Sequence, residues 1–279
     1  FGQVEKLVDS AALTIGSSSA IFACGAARLG LKVAFVGICG EDVFGRFMLA
    51  EMSKCGVDVS HVIVRPDGQT GLSVILNQGS DRAILTHAGL IAELQASDIA
   101  DSLLAQARHL HVASYFLQTN LQPDLPALFK RAHALGLSTS LDTNYDPSER
   151  WAGFDELLAV TNVFLPNEAE AKSLTGAGNV EEAATRLGSK VEALAIKLGK
   201  DGALGMSKSQ RVQVKSIPVN VMDTVGAGDS FDAGFIYGYL NGWELEKSLR
   251  LACVCGALST QQAGGTNGQP TLEEALKYL

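Results

Sequence analysis

The sequence predicts an α/β fold: a doubly wound, mostly parallel sheet flanked by helices, with a small β-sheet lid. From Ser97 onward, short apolar runs alternate with amphipathic stretches of helix length, which is the rhythm of βαβ units. Residues 16–61 carry the same rhythm near the start. Between His61 and His87 it gives way to three short alternating runs joined by turn sequences, which suits a projecting antiparallel sheet.

Taken in order, Val4 to Val8 and Ala11 to Ile15 read as extended, and no run before Gly16 has the apolar continuity of a sheet strand. Gly16-Ser17-Ser18-Ser19 leads into a helix over 20–29, with serine as cap and Gly30 as stop. Residues 31–38 read as a buried strand, 37–42 as a turn and 43–55 as a second helix closed by Gly56. Strands at 62–64, 71–76 and 82–86 are separated by Arg65-Pro66-Asp67-Gly68 and by Asn77-Gln78-Gly79-Ser80-Asp81. The main domain is therefore assigned to 16–61 and 88–279, and the lid to 1–15 and 62–87. Further strands are predicted at 109–113, 137–141, 162–165, 192–197 and 202–206. Helices are predicted at 123–135, 152–159, 167–174, 179–187, 227–240, 244–260 and 271–278.

The chain has 279 residues, 47% of them hydrophobic, enough for a large core. A net charge of −8 argues against a nucleic-acid footprint and against an anionic membrane surface. The five cysteines Cys24, Cys39, Cys55, Cys253 and Cys255 form no CxxC, and sit in apolar segments as reduced thiols would in a cytoplasmic protein. Neither a signal peptide nor a membrane-spanning run is visible.

The most informative stretch runs from Asp223 to Ile236. Ile217 to Met222 reads as a strand end, and Phe231, Phe235, Ile236, Tyr239 and Leu240 recur at helical spacing. Between them, Gly226-Ala227-Gly228 opens a helix with no bulky side chain in front of its N–H groups, which suits an anion. Asp229 would repel that anion unless it takes a proton from a hydroxyl attacking it. A plain helix cap would use the same residues structurally. Asn167 and Glu170, three apart after a strand, share one face of a helix start and also read as a cap. Asp142 and Asn144 lie at another strand end, where a polar turn is the structural alternative. Lys197 ends a strand before a turn built on Gly199 and Gly202.

Asp223-Thr224-Val225-Gly226-Ala227-Gly228-Asp229 and the small-residue helix after it resemble the C-terminal motif of the PfkB/ribokinase family of carbohydrate kinases. The resemblance runs from about Gly16 to the C-terminus and implies a ribokinase-like fold. It further implies transfer of the ATP γ-phosphoryl group to a hydroxyl of a sugar-like molecule. Asp229 would be the base, and the turn Gly226, Ala227, Gly228 the anion hole. Asn167, Lys197, Gly199, Thr224, Gly228 and Gly265 would face the nucleotide. Gly16, Ser17, Asp142, Asn144 and Asp229 would face the acceptor. Glu170 and Asp223 would serve Mg²⁺ or another cation, with a monovalent ion such as K⁺ near the loop 263–268. A homodimer through the lid is implied by analogy.

Three positions depart from the family pattern: Ser17 replaces a glycine, Ile21 an asparagine, and Asp146 stands where a basic residue is often found. The last departure weakens the case for an acidic sugar. A phosphosugar would want clustered basic residues, and Arg28, Arg46 and Arg82 are scattered. The alternatives are a nucleoside kinase of the same fold, a catalytically silent sugar-binding regulator, and a dinucleotide oxidoreductase. The last would place GxGxxG after a first strand.

Overall fold

Regular structure begins at α1 (Ser18–Arg28), after which Gly30 turns the chain at φ +98°. β1 (Gly37–Gly40) and α2 (Val43–Lys54) follow, and β2 (Val62–Arg65) pairs with β1 in parallel. β3 (Leu72–Gln78) and β4 (Asp81–His87) form an antiparallel hairpin. Then come α3 (Asp101–Leu104), β5 (His109–Val112), α4 (Leu125–Ala134), β6 (Ser138–Leu141), α5 (Asp155–Leu158), β7 (Val163–Phe164), α6 (Glu168–Thr175) and α7 (Val180–Gly188). β8 (Ala193–Lys197), β9 (Ala203–Ser207) and β10 (Gln210–Val214) complete the sheet, and α8 (Ala227–Leu240), α9 (Leu245–Ser259) and α10 (Leu272–Leu276) complete the chain. The structure is a computed structural model that describes residues 5, 7–78, 81–151, 153–208 and 210–279.

The main sheet runs β10-β9-β8-β7-β6-β5, with β5 to β8 parallel and β8 to β10 antiparallel. Strand period two explains its two covered faces. Phe164, Leu194, Ile196 and Leu204 point into one core with Leu128, Phe129, Leu157 and Leu187. Val163, Leu165, Ala193, Ala195 and Ala203 point into the other, against Phe235, Leu249 and Val254. The small alanines on that face sit opposite α8 and α9. The parallel strands end where the polar cluster lies: Asp142 follows β6, Asn167 follows β7 and Lys197 ends β8.

Several expectations need correction. Among the described residues of 1–15 there is no strand, so the lid is a hairpin alone; Val4 and the turn residues Gly79 and Ser80 lie outside the described residues. Val62–Arg65 does not join that hairpin, because its half-buried Val62 and Ile63 pair with Gly37 and Ile38. Residues 31–36 make one bridge, Ala34 to Asp58, and strand pairing starts only at Gly37, inside the segment expected to turn. Residues 217–222 form no strand; Val221 and Met222 are exposed. β10 is an edge strand whose mostly polar, exposed residues hid it from an apolar search.

The hairpin is anchored by a small polar knot. Asp42 caps α2 by accepting from Gly45 N–H at 2.8 Å, and its other oxygen accepts from Thr70 N–H at 2.7 Å. Thr70 Oγ1 in turn accepts from Gly40 N–H at 2.9 Å. Together these bonds tie the end of β1, the start of α2 and the base of the hairpin to one carboxylate and one hydroxyl.

Candidate active site

The turn before α8 is built on Gly226, whose φ of +74° lies in the left-handed region. A Cβ there would lie 2.8 Å from the Gly265 backbone and 2.9 Å from Ile21, so only glycine fits. Ala227 N–H donates to Thr224 C=O at 3.3 Å. The Gly228 and Asp229 N–H groups have no acceptor among the described residues. Ala227, Gly228 and Thr224 line a groove of about 580 Å³ that continues past Gly199, Val219 and Ala257. That volume suits a nucleotide-sized ligand. A larger cleft of about 650 Å³ lies between α1 and β5, lined by Phe22, Leu104, His109 and His111. The groove at Gly228, which holds the glycine turn and its free N–H groups, is the candidate site.

Asp229 sits in the first turn of α8, buried, with the Ser18 hydroxyl turned toward it. Burial, reinforced by the charge of Asp142, pushes its carboxyl up to about 7. Asp142, Asp229 and Asp232 bring carboxylate oxygens within 4.8 Å of one another. Lys197 lies among them: its Nζ donates to Asp142 Oδ2 at 2.9 Å and to both oxygens of Asp232 at 3.1 Å. Burial alone would raise Asp142, but the Lys197 ammonium and hydrogen bonds hold it below the usual carboxylate range. Asp232, one helical turn after Asp229, is raised well above that range, mainly by burial. It was missed in the sequence, although its spacing of three from Asp229 puts both on one face. Lys197, expected at a phosphate, has its ammonium engaged by carboxylates, and its stem lines the groove with Gly199.

Asn167 and Glu170 form a reciprocal capping box: Asn167 Oδ1 accepts from Glu170 N–H at 2.9 Å, and Glu170 Oε2 accepts from Asn167 N–H at 2.8 Å. The plain cap is thus present, yet Glu170 is also buried, and burial with the nearby Asp142 charge pushes it up to about 7. Glu170 presents carboxyl oxygens close to those of Asp142 and Asp229, and Mg²⁺ takes oxygen ligands and retains waters, so the donor set fits it. Asp223 clamps the neighbouring loops: Oδ1 accepts from Val225 N–H at 3.0 Å and Oδ2 from Gly264 N–H at 2.9 Å.

Asn144, expected to face the acceptor, adopts φ +55° and bridges two elements. Its Oδ1 accepts from Ser114 N–H at 2.7 Å, and its Nδ2 donates to Ser18 Oγ at 3.1 Å. Gly16 and Ser17 are exposed at the start of α1; Ser17 holds the cap position at φ +66° without a side-chain cap bond, and its neighbour Ser18 reaches the site instead. Ile21, in place of the family's asparagine, is buried against Gly226 and Gly265. Asp146 has a structural explanation too. It is buried and accepts from Ser148 N–H and Oγ, Arg150 N–H and Trp151 N–H, which orders the loop 146–151.

All five cysteines are free, and no helix among the described residues is long and apolar enough to cross a membrane.

The chain is similar to known sugar kinases in sequence and in fold. The chain is 32% identical over 248 residues to an uncharacterized sugar kinase of Archaeoglobus fulgidus, covering 88% of this chain and 98% of that one. It is 32% identical over 278 residues to the 2-dehydro-3-deoxygluconokinase of Bacillus subtilis, covering 92% of this chain and 84% of that one. A fructokinase of Vibrio cholerae, solved with fructose, ADP and calcium ion bound, is 26% identical with a TM-score of 0.83, covering 95% and 91% of the two chains. A putative ribokinase II from E. coli, in complex with ATP and Mg²⁺, shares the fold at TM-score 0.86 and 24% identity, covering 100% and 94%. The model of the pfkB family of carbohydrate kinases matches residues 10–272, and this chain belongs to that family.

Proposed function

We propose that the protein transfers the γ-phosphoryl group of ATP to a hydroxyl of a sugar or sugar-like acceptor, with Asp229 as the base. The carrying observation is the meeting of a buried carboxylate raised to about 7 with unpaired N–H groups of Gly228 and Asp229 at the mouth of a nucleotide-sized groove. A base near 7 can take the proton of an attacking hydroxyl at neutral pH. The turn at Gly226, Ala227 and Gly228 offers its backbone donors to charge developing on the transferring group. Glu170, with Asn167 fixing its orientation, would hold Mg²⁺ through water, and that ion would neutralise phosphate charge when bound. Asp223 holds the 263–268 loop against the turn, so carbonyls around Gly265 would serve a monovalent cation such as K⁺. Asn144 and Asp142 would orient the acceptor beside Asp229. The β3–β4 hairpin would exclude water on closure, and its exposed Val74, Leu76 and Leu85 would pair two copies as a homodimer.

A nucleoside acceptor is the second reading, favoured by the aromatic cluster beside Asn144. Trp151 packs edge-on to Phe116 at 5.3 Å and to Tyr145 at 5.6 Å, and such rings could stack a base. ADP release from ATP and Mg²⁺ with ribose, fructose, 2-dehydro-3-deoxygluconate, 5-dehydro-2-deoxygluconate and adenosine separates the readings. Turnover on one sugar supports the first. Turnover on adenosine alone supports the second. ADP release on none of them, with ATP still bound, would reject both for these acceptors and favour a silent binder.

A further inference from the structure

We propose that Lys197 is a positioning residue for the base. Its ammonium is locked between Asp142 and Asp232, fixes those two carboxyl groups against Asp229, and cancels the charge that Asp142 would otherwise turn on it. The inference rests on Asp229 being the base and goes beyond it in giving Lys197 a role away from the nucleotide.

The hydrogen-bond inventory carries the argument. An ammonium has three donors and no acceptor. Lys197 Nζ directs donors at Asp142 Oδ2 and at both oxygens of Asp232, at 2.9 to 3.1 Å. Those bonds commit the ammonium to the carboxyl cluster. The ammonium side chain is nearly buried, at 12% exposure, and its partners more so, at 2% and 1%. Such a pair is costly to break because the stranded charges stay in a low dielectric. A Cβ on Gly228 would lie 3.6 Å from the same Nζ, so the ammonium sits directly under the anion turn. From that place it acts on Asp229 through charge and through the two carboxylates it holds.

The groups facing Asp229 are few. Asp142 comes from the end of β6, Lys197 from β8, Asp232 from its own helix, Glu170 from α6 and the uncharged Ser18 from α1. His111 on β5 faces Asp142 but is held neutral, pushed down to about 3 mainly by burial. α9 packs an uncharged face on α8, and its Glu246 and Arg250 pair with each other in solvent. Lys197 is thus the one cation among these groups. Removing it leaves the Asp142 charge uncompensated beside Asp229, which makes Asp229 a poorer proton donor and moves its titration to higher pH.

The test is the pH profile of kcat/KM for the wild type and Lys197→Met, with the KM for ATP measured at pH 8.5. The expected result is an acid limb moved up by about one unit or more, as for loss of an opposite charge at this range. Turnover then falls roughly tenfold more at pH 6.5 than at pH 8.5, with KM for ATP within about threefold of wild type. An acid limb that stays in place overturns the proposal, whatever happens to KM. If Lys197→Met does not fold, a crystal structure of the wild type with Mg²⁺ and a non-hydrolysable ATP analogue decides. Nζ still bonded to Asp142 and Asp232 supports the role, and Nζ on a phosphate oxygen overturns it. Asp229→Asn is the control: if it keeps full turnover, the base assignment itself fails, which is a separate outcome.

Discussion

Asp229→Asn is expected to stabilise the protein at alkaline pH while removing its activity, and the size of the gain follows from the burial of the carboxyl. In the folded chain Asp229 is raised from the ordinary 3.8 to about 7, chiefly by burial. A carboxyl whose folded value is raised binds its proton more tightly when folded. The stability this contributes is present below about pH 4 and is lost as the pH rises through 7. Three units correspond to about 4 kcal/mol at most, since each unit is about 1.4 kcal/mol. Asparagine has nearly the same shape and never ionises, so the variant escapes that loss. Between pH 5 and 8 the difference between variant and wild type should grow by about 3 kcal/mol in the variant's favour. Urea unfolding at the two pH values measures this. At a slope of about 3 kcal/mol/M the relative midpoint moves by about 1 M. A variant that is less stable than wild type by the same amount at both pH values would refute the reasoning. It would mean that Asp229 is held by favourable bonds and is not stored in an unfavourable state.

Four further outcomes follow. Wild-type kcat/KM should rise about tenfold between pH 6 and 8 as Asp229 deprotonates, read by coupled ADP release; a flat profile would contradict a base near 7. Gly226→Ala should cost about 1–3 kcal/mol of stability through its positive φ and the clash with Gly265, with a larger loss of turnover; thermal unfolding alongside rates checks both. Asp146→Ala removes a buried acceptor of four hydrogen bonds and should raise KM for the acceptor far more than KM for ATP, because the loop it orders follows Asn144. Chelating Mg²⁺ with EDTA should abolish turnover, and added Mg²⁺ should restore it.

Much of the fold is written locally. α2 has its cap, Asp42, and its stop, Gly56, in the sequence, and α8 has a glycine turn and helical apolar spacing. β7 and β8 show as apolar runs because both faces of the sheet are covered. What depends on a distant partner was not legible. An extended pattern at 1–15 does not name a neighbour, and the run 217–222 is apolar without being a strand, part of it lining the groove. The same holds in the site. The Asp229 turn and the Asn167–Glu170 pair are short-range motifs and could be read. Lys197 meets Asp142 and Asp232 across 55 and 35 residues, so its donors could not be assigned from its own surroundings. Asp146 looked like a departure at a ligand position, and the four bonds that explain it lie within five residues, in a turn with no fixed sequence signature.

The central claim is that Asp229 takes the acceptor's proton as phosphoryl is transferred. The most direct test is kcat of Asp229→Asn on the best acceptor, at saturating ATP and Mg²⁺, with acceptor affinity measured by calorimetry. The account predicts a fall of about 10²–10⁴ in kcat with affinity changed less than about threefold. A variant that turns over at near the wild-type rate would contradict it.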